Sequence, residues 1–542
     1  MRVFKGKSVC GGIAFGRAVF YKKNETKVVR RHTADTHAEC KRYEAAREKA
    51  NKELEVLYYK AIKEIGEAEA QIFSIHQMML ADGDYNDAVI STIKKQMLNA
   101  EAAVLVTAES FSKMFADMED IYMQARAADV QDVSDRIIRI LSGEQEEDIS
   151  GDGKVIVFAE DLSPSETLQM DKERIEGFVT EKGSGASHTA ILARAMNIPA
   201  IIGVKAEEIE NIDGAYVAVN GFTGEIFVEP DAQTLKSLFD GQRKRQEQRE
   251  LLLALKDKPS ITLDKKTIKL YANIGSTADL GQVLVNDGEG IGLFRSEFLY
   301  LEGKELPSEE IQFEAYKKIA QGMSPKPVII RTLDIGADKK PDYFPLTEEE
   351  NPAMGMRAIR ICLKNPEIFR TQIRAILRAS AFGNILIMLP MIVSVEEVRK
   401  AREIIDSVKT ELTMSRIAYD EKVPVGIMIE TPAAAIISDM LAKEADFFSV
   451  GTNDLTQYVL AMDRQNDEVA EMINPCHEAV FRLIEMTCRN GHRYGIWTGV
   501  CGELASDEEL VPRLLKLGVD ELSVSPSKIL AIRKIIRESY AE

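Results

Sequence analysis

Cysteine is scarce: six residues in 542. Cys10, Cys40, Cys362, Cys476, Cys488 and Cys501 show neither CxxC nor finger spacing, which argues against a disulfide framework and structural zinc. A reducing cytoplasm is the expected setting. No apolar run reaches the roughly 18 residues of a membrane span. The basic start MRVFKGKSVCGGIAFG lacks the apolar core of a signal peptide, about 7–15 residues, and reads as strand and turn. Proline does not occur before Pro164, so no such breaker interrupts the first 163 residues. Positive charge is also short, at 69 Lys and Arg against 87 Asp and Glu, a net charge of −18. That disfavours nucleic acid, which needs a basic stripe. It suits a basic protein partner reached by steering, or simple solubility.

What is present divides the chain. At about 100–200 residues per domain, 542 residues suggest three domains. Residues 34–142 carry apolar positions at helical spacing amid Glu and Lys, broken at ADGDYND (81–87), and read as several long antiparallel helices. The runs KVIVFAE, GFVTE, AIIG, YVAVN and EIFVEP then alternate with possible helices at 164–170 and 187–196, a compact α/β domain. GKSVCGGIAFGRAVFY also reads as strand and is expected to join it. The fold class is therefore multidomain α/β. Residues 1–30 and 143–230 form an α/β domain, 31–142 an α-helical insertion, 231–260 a charged helical linker, and 261–542 the rest.

That last region repeats one pattern eight times: KLYANIG, GIGLFRSE, VIIRTLD, ILIMLPMI, VGIMIET, FFSVGTND, GIWTGVCGE and ELSVSP, each followed by helix. Runs so short and apolar are buried on both faces. Eight βα units in this length match a (β/α)8 barrel, and an open parallel sheet is the alternative.

In such a barrel the chemistry sits at the C-terminal strand ends. Those ends carry Arg295, Arg331, Glu430, Asn453, Asp454 and Cys501, with Arg357 and Arg464 close by in sequence. One arginine at a strand end is usually a surface ion pair. Several converging suit a multiply charged anion, because guanidinium forks match phosphate and carboxylate. Glu430 and Asp454 follow neighbouring runs and could hold Mg²⁺ with substrate oxygens, or each could simply pair with an arginine. Cys501, between Gly499 and Gly502, is either a small apolar residue or, protonated at neutral pH, a proton donor to a carbanion.

His188 stands in KGSGASHTAILARAMNIPA. Gly183 and Gly185 make a turn, Ser187 can cap, and TAILARAM reads as helix. His188 thus lies near a helix N-terminus, which favours phosphate, and imidazole can form a covalent intermediate. A capping or core histidine is the plainer reading. His76, in IFSIHQMML, lies on a helix face and reads as packing or interface.

Together these segments resemble the enzyme I family of the phosphoenolpyruvate-dependent sugar phosphotransferase system. The resemblance spans essentially the whole chain. It rests on GLFRSEFLY, RTLDIGADK, ENPAMGMRAIRI, LRASAFG, IETPAA, FFSVGTNDLTQY, MDR and TGVCGELA, and on DLSPSET, SHTAILAR and IPAIIG. It implies that phosphoenolpyruvate and Mg²⁺ phosphorylate a histidine, releasing pyruvate, and that the phosphoryl group passes to the carrier HPr. By motif, His188 is the nucleophile. Arg295, Arg331, Arg357, Arg464, Asn453 and Asp454 contact the donor, Glu430 and Asp454 hold Mg²⁺, and Cys501 protonates the enolate. The family also implies a cytoplasmic homodimer joined through the barrel, and HPr docking on the helical insertion. ARAADV (125–130) matches that surface, which makes Glu67, His76, Met78 and Arg126 candidate contacts.

The turn before His188 departs from the family's GGxTSH, with Ser184 for glycine and Ala186 for threonine. Losing that hydroxyl removes a possible hydrogen bond of about 1 kcal/mol. A dikinase or synthase relative would need an ATP-binding domain and a Gly-rich nucleotide loop. A regulatory, non-sugar paralogue would often carry an added sensory domain. Neither is expected here.

Overall fold

The small residues Ala14, Gly16 and Ala18 alternate with larger ones through Ile13–Tyr21, and this segment lies at the centre of a sheet whose other strands come mostly from beyond residue 150. The structure is a computed structural model. It describes residues 1–21, 28–64, 66–116, 121–143, 153–172, 174–183, 188–205, 212–301, 303, 305–336, 341, 343–344, 346 and 349–541, with the side chains of 64, 67–69, 121–125, 188 and 467 outside that description. The chain forms two compact units, Met1–Glu247 and Gln248–Glu542.

In the first unit, β1 (Arg2–Lys5), β2 (Lys7–Cys10) and β3 (Ile13–Tyr21) join β4 (Val155–Ala159), β5 (Ile175–Thr180), β6 (Ala200–Ile202), β7 (Tyr216–Asn220) and β8 (Glu225–Val228). The order is β1-β8-β7-β3-β4-β5-β6-β2. β3 runs parallel to β4 and antiparallel to β7, so the N-terminal segment is integral to this sheet. Alternation along the strands sends Ile156, Phe158 and Val179 to one apolar cluster and Val155, Val157 and Phe178 to another, one for each face.

Between β3 and β4 stand α1 (Thr36–Glu64), α2 (Glu67–Ala81), α3 (Gly83–Gln96), α4 (Ala100–Ala116) and α5 (Ile121–Ser142). Their apolar stripes meet at Tyr43, Leu54, Phe73, Val104 and Ile137. The break expected at 81–87 is a single residue, Asp82, whose side chain accepts from Tyr85 N at 2.8 Å and caps α3. The short helix α6 (Pro164–Gln169) ties the sheet to this bundle. Leu168 enters the bundle core, Lys60 Nζ donates to its carbonyl at 2.7 Å, and Ser165 Oγ donates to Asp132 at 3.0 Å. A capping box of Ser163 and Glu166 starts α6. Ser163→Ala is expected to cost about 1 kcal/mol, read as a lower urea midpoint by circular dichroism.

The charged linker is the helix Ala232–Leu253. Its first half lies on the sheet. Phe239 stacks on Phe15 with centroids 4.2 Å apart, Arg245 covers the Phe222 ring at 3.6 Å, and Gln242 donates to Ile13 O at 3.3 Å. Beyond the helix, Leu255 O accepts from the buried Arg533 at 3.1 Å and Asp257 N donates to Asp287 at 2.8 Å, both within the second unit.

The second unit is a closed, all-parallel barrel of eight strands: β9 (Lys269–Ile274), β10 (Ile291–Arg295), β11 (Val328–Arg331), β12 (Ile385–Leu389), β13 (Val425–Ile429), β14 (Phe448–Val450), β15 (Thr498–Val500) and β16 (Glu521–Val524). All eight sequence runs supply its strands. Tyr271, Leu293, Ile329, Leu386, Met388, Met428 and Phe447 fill the interior, and a larger cluster packs strands against the surrounding helices. Among the described residues no helix is long and apolar enough to cross a membrane.

Two of those helices are joined by charge. Glu309 meets Arg374 at 2.9 Å and Arg378 at 2.7 Å. Burial would raise the Glu309 carboxyl, but the two guanidinium groups hold it below the usual carboxylate range. The resulting stability is complete above the unfolded pKa of about 4.3 and is lost as pH falls through the lower folded value. Glu309→Gln should therefore flatten the fall in urea midpoint between neutral pH and about pH 3.

Candidate active site

Each strand of the barrel delivers its last side chains to one rim. β10 ends in the exposed Arg295 and β11 in Arg331; Glu430 follows β13, and Asp454 lies in the first turn of helix Thr452–Leu460, just after β14. The charges form an alternating chain. Glu297 lies 3.0 Å from Arg331, Arg331 2.8 Å from Asp334, Asp334 3.1 Å from Arg357, Arg357 3.6 Å from Asp454, and Asp454 3.4 Å from Arg464. Its middle is dry, since Arg331, Asp334, Arg357 and Asp454 have side chains 12% exposed or less, while Arg464 at 41% opens to solvent.

Burial alone would lower the Arg331 and Arg357 guanidinium groups. Asp334 and the other carboxylates around them more than reverse that, so both stay charged. Asn453 is engaged differently: its amide exchanges hydrogen bonds with Glu503, donating at 3.1 Å and accepting from Glu503 N at 2.9 Å.

Glu430 is buried and accepts from Met391 N at 2.6 Å. Burial, then Asp334 and Asp454, push its carboxyl well above the usual range against the pull of Arg331 and Arg357. Gly451 makes room for it, since a Cβ there would sit 2.9 Å from Glu430 Oε2. The two carboxylates thus differ. Asp454 pairs with two arginines, whereas Glu430 has no ion-pair partner among the described residues.

Hard oxygen donors of this kind suit Mg²⁺. Asp454 Oδ1 is buried without a hydrogen bond, and a cation beside Glu430 would restore its charge. Among the described residues no three His, Cys, Asp or Glu converge as a ready cage, so substrate oxygens would have to complete the shell.

Cys501 follows β15 and faces the barrel interior with Met388 and Met428. Burial pushes its thiol up to about 12, with the Ser449 hydroxyl opposing. It is protonated at neutral pH. Arg331 and Glu430 are both close enough to influence it. Cys362 and Cys488 are buried in outer helices and Cys476 is exposed in a loop.

In the first unit His188 opens α7 (His188–Met196). The next residue anchors the helix, Thr189 Oγ1 donating to Leu162 O at 2.9 Å. Gly183 has φ 116°, a conformation that needs glycine. Residues 184–187, with Ser184, Ala186 and Ser187, lie outside the described residues, as does the His188 side chain.

Of the candidate carrier contacts, Met78 is exposed on α2 and Arg126 pairs with Asp129 at 3.1 Å. The Glu67 side chain is outside the described residues. His76 requires a correction: it is fully buried, with Nε2 3.2 Å from Asp129 and Nδ1 3.5 Å from Asp132. It shares a core stripe with Phe73 and Leu80, so it supports the surface from beneath instead of presenting to it.

Glu297 and Asp334 were not singled out in the sequence. Their signal was spacing, with one carboxylate two residues after Arg295 and another three after Arg331.

Three family models match in series: PEP-utilising enzyme N-terminal over residues 5–126, mobile domain over 151–224, and PEP-binding domain over 249–540. The phosphoenolpyruvate-protein phosphotransferase of Priestia megaterium is 42% identical over 537 residues, 98% of this chain and 93% of that protein. The chain belongs to the phosphoenolpyruvate-protein phosphotransferase family. The Bacillus subtilis (strain 168) phosphoenolpyruvate-protein phosphotransferase is 41% identical over 98% of this chain and 94% of its own length. A solution structure of an Enzyme I protein is 32% identical over 45% of this chain and 99% of that chain, with a TM-score of 0.40. In phosphotransferase terms, the charged barrel rim falls within the PEP-binding match and His188 within the mobile-domain match.

Proposed function

We propose that this enzyme passes the phosphoryl group of phosphoenolpyruvate to His188 and from there to a histidine of HPr, the first step of sugar uptake, in the cytoplasm. The observation that carries the reading is the alternating Arg/carboxylate chain at the barrel rim with a protonated thiol behind it.

Arg295, Arg331, Arg357 and Arg464 receive the donor's phosphate and carboxylate, with Asn453 as a further contact. Each arginine in the chain already has a carboxylate partner, so it is held in place before the donor arrives, and preorganised charge is what phosphoryl transfer requires. Glu430 and Asp454 hold Mg²⁺, which when bound offsets the negative charge gathered in transfer. The His188 imidazole takes the phosphoryl group as the bond to the enol oxygen breaks. The enolate carbon takes the Cys501 proton, and pyruvate leaves.

Phospho-His188 then meets HPr on the surface of the helical insertion that carries Met78 and Arg126. Residues 1–30 and 143–230 act as the phosphohistidine domain, 31–142 as the carrier-binding domain and 261–542 as the donor barrel, paired with a second copy. Because donor and carrier bind different domains, His188 must travel. The connecting helix Ala232–Leu253 is anchored to the sheet through Phe239, Gln242 and Arg245, and the chain beyond it joins the barrel from Leu255, so the swing is assigned to this connector.

Labelled phosphoenolpyruvate with Mg²⁺ and no ATP should place acid-labile phosphate on the protein and release one pyruvate per subunit. A requirement for ATP would sink the reading.

A further inference from the structure

The barrel interior holds a second acid, on β16. Glu521 is fully buried, and among the described residues neither carboxyl oxygen has a hydrogen-bond partner. A charge without partners is strongly disfavoured there. Two glycines make its space. A Cβ on Gly499 would lie 1.9 Å from Oε2, and one on Gly292 would lie 2.6 Å from Oε1.

The strand registers place this carboxyl. Gly499 of β15 pairs with Glu521 on one side and with Ser449 of β14 on the other. Cys501 shares the inner face with Gly499, two residues nearer the rim, about 7 Å along the strand. The carboxyl therefore leans over the bare backbone of Gly499, below the thiol, with the Ser449 hydroxyl beside the thiol. The two acids feel one another, since Glu521 helps raise the thiol and Ser449 lowers it. Burial pushes Glu521 well above the carboxylate range, with Lys269 opposing. On its other side Glu521 pairs with Lys269, the first residue of β9, whose ammonium lies 4.1 Å from the Trp497 ring centroid. Lys269 is only part-buried, so this end of the row reaches the N-terminal rim of the barrel.

A thiol that has protonated an enolate is left as a buried thiolate, and it must regain a proton before the next turnover. We propose that Glu521 reprotonates Cys501 and is itself recharged from solvent at the N-terminal rim beside Lys269. The Glu521 O–H bond breaks as an S–H bond forms on Cys501, and the carboxylate left behind takes one solvent proton per pyruvate. Glu521 touches no substrate and acts through Cys501. The inference rests on the reading of Cys501 as the acid.

The test is rapid-quench pyruvate release by the full-length Glu521→Gln enzyme, with phosphoenolpyruvate, Mg²⁺ and excess purified histidine phosphocarrier. The first pyruvate per subunit should form at the wild-type rate. Later turnovers should be roughly 10–100-fold slower, with KM for phosphoenolpyruvate unchanged and a solvent deuterium effect larger on them than on the first. In Glu521→Ala, added formate should restore the later turnovers. Equal rates in every turnover, or a first turnover slowed as much as the rest, would overturn the relay. Cys501→Ala run alongside separates the two ideas. A wild-type first turnover there defeats the thiol acid itself, whereas wild-type behaviour of Glu521→Gln alone defeats only the relay.

Discussion

His188→Ala should take up no acid-labile phosphate from labelled phosphoenolpyruvate and Mg²⁺, a loss of about 1,000-fold or more, since among the described residues no other histidine has a comparable setting. The chain has six histidines. His76 is buried between two aspartates, His477 accepts from Ala479 N and caps a helix, and the His492 ring lies 2.6 Å from Asp520. His32 and His37 lack a glycine-rich turn ahead of a helix. Only His188 follows a glycine-rich stretch of sequence and opens a helix, His188–Met196, the kind of N-terminus that favours a phosphate. Label that persists in the variant would show another carrier residue, and acid-stable label would show a different chemistry.

Cys501→Ala should slow pyruvate formation by roughly 100- to 10,000-fold, the usual worth of a placed general acid. The thiol faces the interior among Met388 and Met428, and Cys501 is the one cysteine of that interior cluster. Because burial raises its pKa to about 12, the thiol keeps its proton throughout the neutral range. The pyruvate-forming step should therefore show no loss from thiol ionisation between about pH 6 and 9. Cys501→Ser should not restore the rate, since an alcohol is a far weaker acid than a thiol. Normal pyruvate release by Cys501→Ala, measured by a coupled dehydrogenase assay, would remove the thiol from the mechanism.

The barrel was legible because eight buried strands leave eight apolar runs, each ending where polar residues begin. The rim arginines and carboxylates could be read for the same reason: a strand's last residue is visible in sequence. Their pairing was not. Nothing in RTLDIGADK says that Asp334 reaches both Arg331 and Arg357, which come together only when β11 and the loop before helix Ile359–Lys364 meet in space. Glu521 was hidden for another reason. Alternation puts Glu521 and Ser523 on one face of ELSV and Leu522 and Val524 on the other, but sequence does not tell which face looks inward. For His76 the sequence left packing and interface open, and the spacing of Phe73, His76 and Leu80 on one stripe carries the packing reading. Inside the core two aspartates from α5 flank the ring, Asp129 at 3.2 Å from Nε2 and Asp132 at 3.5 Å from Nδ1.

The order of the first sheet has a consequence for synthesis on the ribosome. β3 pairs with β4 and β7, and β1 pairs with β8, so the strands made first find partners among those made last. At about 5–20 residues per second, roughly 200 residues separate them by ten seconds or more. Meanwhile α1 to α5, contiguous and rich in local contacts, can assemble alone. The nascent protein thus spends that interval as a finished helical bundle trailing three unpaired strands, the stage at which a chaperone holding short β segments would matter most.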